Sequence, residues 1–286
     1  MYSPRMSTEW DPARSIDTSK ASHARIYDYF LGGKDNYAVD RKAAEQILKV
    51  SPEARQLAVA NRQFVVRAVR YLAERGVDQF IDIGAGLPTA PDVSEVAREI
   101  HPQARVVSVD NDPIVLVHNR ALVTIDEGLA TINGDVRDPD QILDNPELAA
   151  LIDFDRPVAV LLVAVLHFVA DEDDPAGVVA RIVERLARGS FVVIAAATTT
   201  GVAVETFKGV AQAFRNSTTK PAVARSADEI ESWFNGLRLV EPGVVDIVDW
   251  RPQLQEVLPS PGPLLWPQDL RTSPGLRFVC GVGEKV

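Results

Sequence analysis

The chain has 286 residues, of which 46% are hydrophobic and 24% are charged, as is typical of a folded globular protein with one large domain or two small ones. Its formal net charge of −10 disfavours a nucleic-acid partner, because no basic surface is expected. One cysteine, Cys280, excludes an internal disulfide framework and a multi-cysteine zinc site. The longest apolar run, residues 158–170, is shorter than the roughly 18 residues that a membrane-spanning helix needs. We therefore expect a cytoplasmic protein with no membrane partner.

The first 76 residues have the pattern of an irregular arm followed by three helices. The arm covers about twenty residues with little periodicity. The first helix is predicted to follow Ser22, a favourable N-cap, and to end at Gly32 and Gly33. The second covers residues 36–50. The third begins at Pro52 and continues to Gly76 with apolar residues at helical spacing.

The sequence "LGGKDNYAVDR", residues 31–41, resembles part of a phosphate-binding loop. Such a loop follows a buried strand and places a hydroxyl residue after its lysine. Here a helix precedes the glycines and Asp35 follows Lys34. We therefore interpret the glycines as a helix end and turn, which does not explain the polar residues that follow them: Lys34, Asp35, Asn36, Tyr37, Asp40 and Arg41.

From residue 77 onward, apolar strand patterns alternate with helical patterns. Strands that are apolar on both faces and separated by helices indicate a parallel sheet covered by helices on both sides, a doubly wound α/β fold. The tail differs, because no convincing helix separates the predicted strand at residues 238–250 from the last strand at residues 275–283. We expect these two strands to form an antiparallel pair at the edge of the sheet.

The ends of the first three predicted strands carry the residues that indicate chemistry. The first strand ends in "DIGAG", with Asp82, Gly84 and Gly86, and the next two end at Asp110 and Asp135. In an open parallel sheet the ligand lies at these carboxyl ends, where glycines allow close approach of the backbone. A carboxylate at the end of the second strand is placed to accept hydrogen bonds from ribose hydroxyls.

Two cofactors fit a glycine turn with a ribose-binding acid, namely a dinucleotide and S-adenosylmethionine. The dinucleotide pattern requires a third glycine where Thr89 stands. Asp82 would repel a pyrophosphate but suits the positive charges of S-adenosylmethionine. The residues therefore favour S-adenosylmethionine.

The segments "FIDIGAGLPT", "VVSVDNDP", "NGDVRDP" and "LLVAVLHFV" resemble successive motifs of class I S-adenosylmethionine-dependent methyltransferases. With "IDTSKASHARIYDYFLGGKDNYAVDR", "LVEPGVV" and "WRP", the chain resembles a bacterial family of S-adenosyl methyltransferases whose substrate is not established. The resemblance implies a Rossmann-like, mostly parallel seven-stranded sheet with the last strand antiparallel. It also implies an N-terminal arm and helical lid, residues 1–76, over a cofactor-binding core, residues 77–286. Pro88 departs from the class pattern, since many members carry a third glycine there.

The resemblance implies a cofactor site spread over the strand ends. Its expected residues are Asp82, Gly84, Ala85 and Gly86 along the methionine part, Asp110 at the ribose, Asn111, Asp135 and Val136 around the adenine, and Ala164 and Val165 near the sulfonium. Structural alternatives stay open. The acids at residues 110–112 could cap a helix, Asp135 could serve a turn, and the glycines could reflect tight packing alone.

His167, after the fourth strand, is the candidate catalytic base, because an oxygen or nitrogen acceptor can need a group that removes its proton. Its alternative role is that of an internal histidine hydrogen-bonded to the backbone. Tyr27, Tyr37 and Arg41 on the expected lid are candidates to touch cofactor or acceptor, and the two tyrosines could equally be packing residues. We expect residues 198–225 to shape the acceptor pocket.

The sequence thus predicts a methyltransferase that uses S-adenosylmethionine and acts on a small-molecule acceptor. Nucleic-acid methylation is disfavoured by the acidic composition and by the strand end "AVLHF", which lacks the Asn/Asp-Pro-Pro-aromatic motif used on exocyclic amines. Two alternatives remain, a module that binds the cofactor without catalysis and an NAD-dependent oxidoreductase. Asp82 and Thr89 disfavour the oxidoreductase.

Overall fold

A computed structural model describes residues 17–123, 126–217, 222–254, 270 and 275–286. Within these ranges three α-helices precede the sheet: α1 (His23–Phe30), α2 (Ala38–Val50) and α3 (Ala54–Ala73). Strands and helices then alternate as β1 (Gln79–Ile83), α4 (Val93–Ile100), β2 (Arg105–Asp110), α5 (Pro113–Val123), β3 (Leu129–Asn133), α6 (Pro139–Leu143), α7 (Pro146–Leu151), β4 (Ala159–Val163), α8 (Pro175–Arg185) and β5 (Phe191–Thr198). The remaining elements are α9 (Val204–Ser217), α10 (Ala227–Ser232), β6 (Arg238–Leu239), β7 (Val245–Asp246) and β8 (Arg277–Glu284).

One mixed sheet organises the core, with strand order β3-β2-β1-β4-β5-β8-β6 and β7 paired to β8. Strands β1 to β5 are parallel, and β8 runs antiparallel to β5 from Phe191 paired with Glu284 to Thr198 paired with Arg277. The chain order reverses between β1 and β4, which is where a doubly wound sheet opens a crevice for a ligand. The predicted doubly wound fold with an antiparallel last strand is confirmed.

The sheet has eight strands where the sequence predicted seven. The strand expected over residues 238–250 is divided into β6 and β7, which are two residues each and both pair with β8. Pro242 between them has no amide hydrogen to donate, and Gly243 has a φ of +86°, outside the strand region. The chain therefore turns between the two short strands.

Helices cover both faces of the sheet, so alternate strand residues belong to different apolar clusters. Phe80 and Leu161 pack in the cluster that contains α3 and α4. Ile81 and Leu162 pack in the opposite cluster with residues of α6, α7, α8 and α10. This explains why the central strands are apolar throughout. Helix α3 precedes residue 77 in the chain but packs directly on the sheet.

Helices α1 and α2 form a further layer with α9. Ile26, Phe30 and Ile47 share one buried cluster with Val210 and Ala213 of α9. In the ranges that the structure describes, no helix is both long and apolar enough to cross a bilayer.

The polar residues after the double glycine connect α1 to α2. Gly32 has a φ of +80°, which favours glycine, and a β-carbon on Gly33 would meet the carboxylate of Asp28. Asn36 Nδ2 donates to Asp28 Oδ2 at 2.7 Å, and Arg41 Nη1 donates to the Asn36 carbonyl at 2.8 Å. The segment is a helix end and turn, as predicted.

A buried ion pair completes this connection. Arg25 Nε lies 2.9 Å from Asp40 Oδ2, and both side chains are fully enclosed. Asp40 also accepts from the amide of Ser22 at 2.9 Å and from that of Tyr37 at 2.8 Å. A carboxylate buried with a cation and two amides is well satisfied, so these contacts fix α1 against α2.

Candidate functional site

A cavity of about 310 Å³ lies at the carboxyl ends of β1 to β5, beneath α1 and α9. Strand ends contribute Asp82, Asp110, Asp135 and Ala164 to its wall, and α1 contributes Tyr27. This is the location at which doubly wound sheets bind their ligands. Across the described part of the chain, no group of three or more His, Cys, Asp or Glu side chains could hold a metal ion.

The turn after β1 requires glycine for two different reasons. Gly84 has a φ of +81°, and a β-carbon there would lie 2.8 Å from Val165 Cγ2. Gly86 has a φ of +68° but faces open space, with no atom within 4 Å of a β-carbon. Gly84 is therefore required both by its left-handed backbone conformation and by its close packing on Val165, and Gly86 is required by its backbone conformation.

Asp110 fixes this turn from the end of β2. Its Oδ2 accepts from the amide of Gly86 at 2.9 Å, and its Oδ1 accepts from the amide of Asp112 at 2.9 Å. Burial raises the pKa of Asp110 to about 6, although the amide donors favour the ionised form. Asp112 accepts from the amide of Ile114 at 2.9 Å and so caps α5, which is the alternative role foreseen for one of these acids.

Asp135, after β3, is held in a polar cluster. Asn111 Nδ2 donates to its Oδ2 at 3.0 Å, and Arg137 Nε donates to its Oδ1 at 3.0 Å while Nη2 donates to Oδ2 at 2.6 Å. The Arg137 amide also donates to Asp135 Oδ1 at 3.1 Å, as in a turn. Both Asp135 and the adjacent Val136 line the cavity.

Asp82 and Arg62 provide opposite charges at the β1 end of the cavity. Burial raises the pKa of Asp82 to about 6, and the positive charge of Arg62 opposes this shift. Arg62 Nη2 donates to the carbonyls of Thr89 at 3.0 Å and Pro91 at 2.7 Å, which positions the guanidinium on the turn after β1. Sequence reasoning missed Arg62, because nothing in the helical pattern distinguishes it from other arginines of α3.

Asn61 and Tyr27 join α3 to α1 across the cavity wall. Tyr27 Oη donates to the Ala58 carbonyl at 2.9 Å and accepts from Asn61 Nδ2 at 2.9 Å. Asn61 is only 3% exposed, and its Oδ1 has no hydrogen-bond partner among the described residues. A buried acceptor without a partner in a ligand cavity fits a ligand that brings an N–H donor.

The end of β4 shows a conformation unusual for its residue type. Ala164 has a φ of +58°, in the left-handed region that disfavours residues with a β-carbon, and its amide donates to the Ala195 carbonyl at 2.8 Å. Strained residues of this kind concentrate at functional sites. Ala164 and Val165 both line the cavity.

His167 is buried, with contacts to backbone and aromatic rings. The Ala197 amide donates to its Nδ1 at 3.4 Å, so the proton of the neutral ring lies on Nε2. Its ring centroid lies 4.3 Å from that of Phe168 and 5.2 Å from that of Phe278. Burial lowers the pKa of His167 to about 3. These contacts match the internal-histidine alternative.

An aromatic group lines the part of the cavity beyond β4. The His23 ring stacks on Phe168 with centroids 3.8 Å apart and an interplanar angle of 21°, and Phe214 of α9 lies 5.8 Å from Phe168, edge to face. Phe207, also on α9, lines the cavity. The expectation that residues 198–225 shape this pocket agrees with these positions, although residues 218–221 lie outside the described chain. No motif marks His23, Phe207 or Phe214, and only the apolar periodicity of α9 could have indicated them.

The cavity brings most of the predicted site residues together. Tyr37 does not line the cavity. Its side chain is 42% exposed, and its ring lies 5.2 Å from the Arg25 guanidinium. Gly86 is not among the lining residues, although its amide donates to Asp110. The predicted residues that line the cavity are Tyr27, Asp82, Gly84, Ala85, Asp110, Asn111, Asp135, Val136, Ala164, Val165 and His167.

Comparisons with known proteins show a family and a fold. Residues 9–285 match the family described as S-adenosyl methyltransferase. A "putative methyltransferase" from Thermobifida fusca YX is 40% identical, with 97% of this chain and 99% of that chain covered and a TM-score of 0.84. A DUF574 family protein from Streptomyces avermitilis MA-4680 is 38% identical, with 94% and 99% covered and a TM-score of 0.84. No curated protein matches the chain.

Proposed function

Because the chain belongs to the S-adenosyl methyltransferase family, whose cofactor is S-adenosylmethionine, we propose that it methylates a small molecule bound in the cavity described above. The observation that carries the proposal is the continuity of this cavity. Its wall runs from the acidic ends of β1, β2 and β3 to the aromatic group around Phe168, beneath α1 and α9. A concave cavity of this size, partly covered by α1 and α9, suits a small acceptor better than a polymer.

The charged groups of the cavity suit the parts of the cofactor. Asp82 would hold the ammonium group of the methionine part, with Asn61 Oδ1 as a further acceptor, and Arg62 would hold the carboxylate. Asp110 is placed for the ribose hydroxyls. Asn111, Asp135 and Val136 would surround the adenine. When bound, S-adenosylmethionine supplies an electrophilic methyl group on a positively charged sulfur.

The aromatic residues would exclude water and hold the acceptor in line with the methyl group, and such positioning is a large part of what a group transfer requires. A base whose conjugate acid has a pKa of about 3 holds a transferred proton weakly at neutral pH. We therefore assign His167 a role as hydrogen-bond donor to the acceptor through Nε2, in place of the predicted role as base. Tyr27 contributes by holding α1 on α3.

Calorimetric titration with S-adenosylmethionine, S-adenosylhomocysteine and NAD tests the cofactor part of the proposal. We expect the first two ligands to bind and NAD not to bind. Binding of NAD alone would contradict the cofactor assignment.

A turnover assay separates an enzyme from a non-catalytic binding module. S-adenosylhomocysteine formation is measured with a panel of small phenols, amines and carboxylic acids, with transfer RNA and unfolded protein as polymer controls. We expect turnover with at least one small molecule and none with the polymers. Cofactor binding without turnover on any panel member would favour the binding module, and turnover on a polymer alone would overturn the small-molecule acceptor.

A further inference from the structure

The charged and aromatic residues of the cavity lie in two separate halves. The charged half contains Arg62, Asp82, Asp110, Asp112, Asp135 and Arg137, which come from α3 and from the ends of β1, β2 and β3. The aromatic half contains His23, His167, Phe168, Phe207, Phe214 and Phe278, which come from α1, α9, β8 and the turn after β4. Strand order separates the halves, because β3, β2 and β1 lie on one side of the crevice and β4, β5 and β8 on the other.

None of the described residues that line the aromatic half carries a fixed charge, and the buried Arg225, whose charge acts on His167, lies outside the lining and pairs with Asp171 and Glu229. Among the described residues that line it, the polar side chains are the two imidazoles, and small or apolar residues such as Ala197, Val210 and Ala211 complete its wall. His167 is neutral at physiological pH, since burial lowers its pKa to about 3. Burying a carboxylate or an ammonium group here would be strongly unfavourable, because no described lining residue offers an opposite charge.

The rings of the aromatic half form flat walls. His23 and Phe168 stack nearly parallel, Phe214 meets Phe168 edge to face, and His167 is tilted 56° to Phe168. Aromatic faces and edges gain most from another aromatic ring in a stacked or edge-to-face arrangement. Such walls therefore favour a planar ligand over a puckered one of the same size.

We infer that the aromatic half takes an uncharged, planar aromatic molecule with a polar group that hydrogen-bonds to the imidazoles. This inference rests on the proposed function, since it names the class of the acceptor. It depends on the absence of charge and the presence of rings among the described lining residues. The Nε2–H of His167 is a donor that would meet an acceptor hydroxyl oxygen.

Three probes with the same two-ring carbon skeleton test this inference by calorimetry on the full chain saturated with S-adenosylhomocysteine. They are 2-naphthol, 6-hydroxy-2-naphthoate, which adds a negative charge, and decahydro-2-naphthol, which removes planarity. We expect 2-naphthol to bind at least about tenfold more tightly than the naphthoate and at least about threefold more tightly than the saturated alcohol. Equal or tighter binding of the naphthoate, or of the saturated alcohol, would overturn the inference.

Two substitutions at Phe207 provide a second, independent test of this inference. The half-buried Phe207 lines the aromatic half from α9, so Phe207→Arg places a cation there without removing a fully buried residue. We expect Phe207→Arg to reverse the preference, so that the naphthoate binds at least about tenfold more tightly than it does to the wild type. Phe207→Met is the matched control and should keep the wild-type order. A gain of binding cannot arise from misfolding.

The outcomes distinguish this inference from the proposed function. If S-adenosylhomocysteine binds and 2-naphthol does not, the acceptor class is wrong and the proposed function stands. If S-adenosylhomocysteine does not bind, both are overturned. If Phe207→Arg stays folded and still prefers 2-naphthol as the wild type does, Phe207 does not face the acceptor and the inference fails.

Discussion

The two halves of the cavity are built differently. Apart from Arg62 of α3, the charged half consists of residues at the ends of parallel strands or in the turns that follow them, such as Asp110 with Asp112 and Asp135 with Arg137. The aromatic half joins His23, Phe168 and Phe214 from distant parts of the chain. Local motifs therefore identify most of the charged half, and the aromatic half depends on the tertiary packing.

Asp110→Ala should weaken ligand binding more than any other single substitution in the charged half. It should lower the affinity for S-adenosylhomocysteine and leave the affinity of the aromatic half for its ligand nearly unchanged. Asp110 accepts from the amides of Gly86 and Asp112, so its removal releases the glycine turn as well as the expected ribose contact. We expect the affinity for S-adenosylhomocysteine, measured by calorimetry, to fall at least about 100-fold, or about 2.7 kcal/mol. Binding of 2-naphthol should change little.

Asp140→Asn is the control for this substitution, because Asp140 is exposed and paired with Arg181 away from the cavity. It should bind both ligands as the wild type does. An Asp110→Ala protein that stays folded but loses both ligands equally would show that the two halves do not act separately.

Gly84→Ala and Gly86→Ala separate the packing of the first turn from its conformation. Both positions have positive φ, which costs an alanine about 1–2 kcal/mol. At Gly84 the new β-carbon would also contact the side chain of Val165, which lies just after β4. We expect urea unfolding to give a loss of about 3 kcal/mol for Gly84→Ala and about 1 kcal/mol for Gly86→Ala. Equal losses would mean that the contact with Val165 relaxes without cost.

Asp82→Asn should stabilise the ligand-free protein at high pH while weakening cofactor binding. Burial raises the pKa of Asp82 from 3.8 to about 6, so the folded protein holds this proton more tightly than the unfolded chain. The resulting stability is present at low pH and is lost as the pH rises through 6. The variant lacks that loss, so its Tm should exceed that of the wild type at pH 8, exceed it by less at pH 5, and approach it only as the pH falls below 3.8.

The same substitution should change how cofactor binding depends on pH. The ionised Asp82 is the form that attracts an ammonium group, so wild-type affinity for S-adenosylhomocysteine should fall as the pH drops below about 6. We expect Asp82→Asn to bind about tenfold more weakly at pH 8 and to show a shallower pH dependence by calorimetry. An unchanged affinity at pH 8 would place the ammonium group elsewhere.

Tyr27→Phe and Tyr37→Phe compare two tyrosines of the N-terminal layer, and Tyr37→Phe should have the smallest effect of these substitutions. Tyr27 Oη makes two hydrogen bonds, and its loss leaves Asn61 Nδ2 without that acceptor. Urea unfolding should show a loss of about 1–2 kcal/mol for Tyr27→Phe. The half-exposed Tyr37 should show a change within about 0.5 kcal/mol. A larger effect at Tyr37 would contradict this assignment of roles.

The sequence predicted the fold well where strands are long and apolar. Strands β1 to β5 and β8 and the helices between them follow from hydrophobic patterning, since both faces of the sheet are covered. The prediction of one continuous strand over residues 238–250 was wrong, because apolar content alone does not reveal the chain turn at Pro242 and Gly243. The two-residue strands β6 and β7 form only through their pairing with β8, which lies later in the chain.

The sequence was less informative on the roles of individual site residues. Asp110 and Asp135 were predicted from strand ends, but their contacts with Gly86 and Arg137 depend on the packing of several elements. His167 lines the cavity, but neither its burial nor its low pKa could be predicted from a motif. Arg62 and Asn61 carry no local signal, because α3 lines the cavity only once it is packed on the sheet.

The contacts of the N-terminal layer have a consequence for the order in which the molecule forms. Helix α2 packs against Val210 and Ala213, and Glu53 Oε1 accepts from the amide of Leu276, which is 223 positions away, at 2.8 Å. During synthesis the first helices leave the ribosome long before these partners exist. Since short helices are marginal on their own, α1 and α2 lack part of their stabilising contacts until α9 and β8 have been made. The covering of the cavity by α1 is thus completed only when residues far along the chain are present.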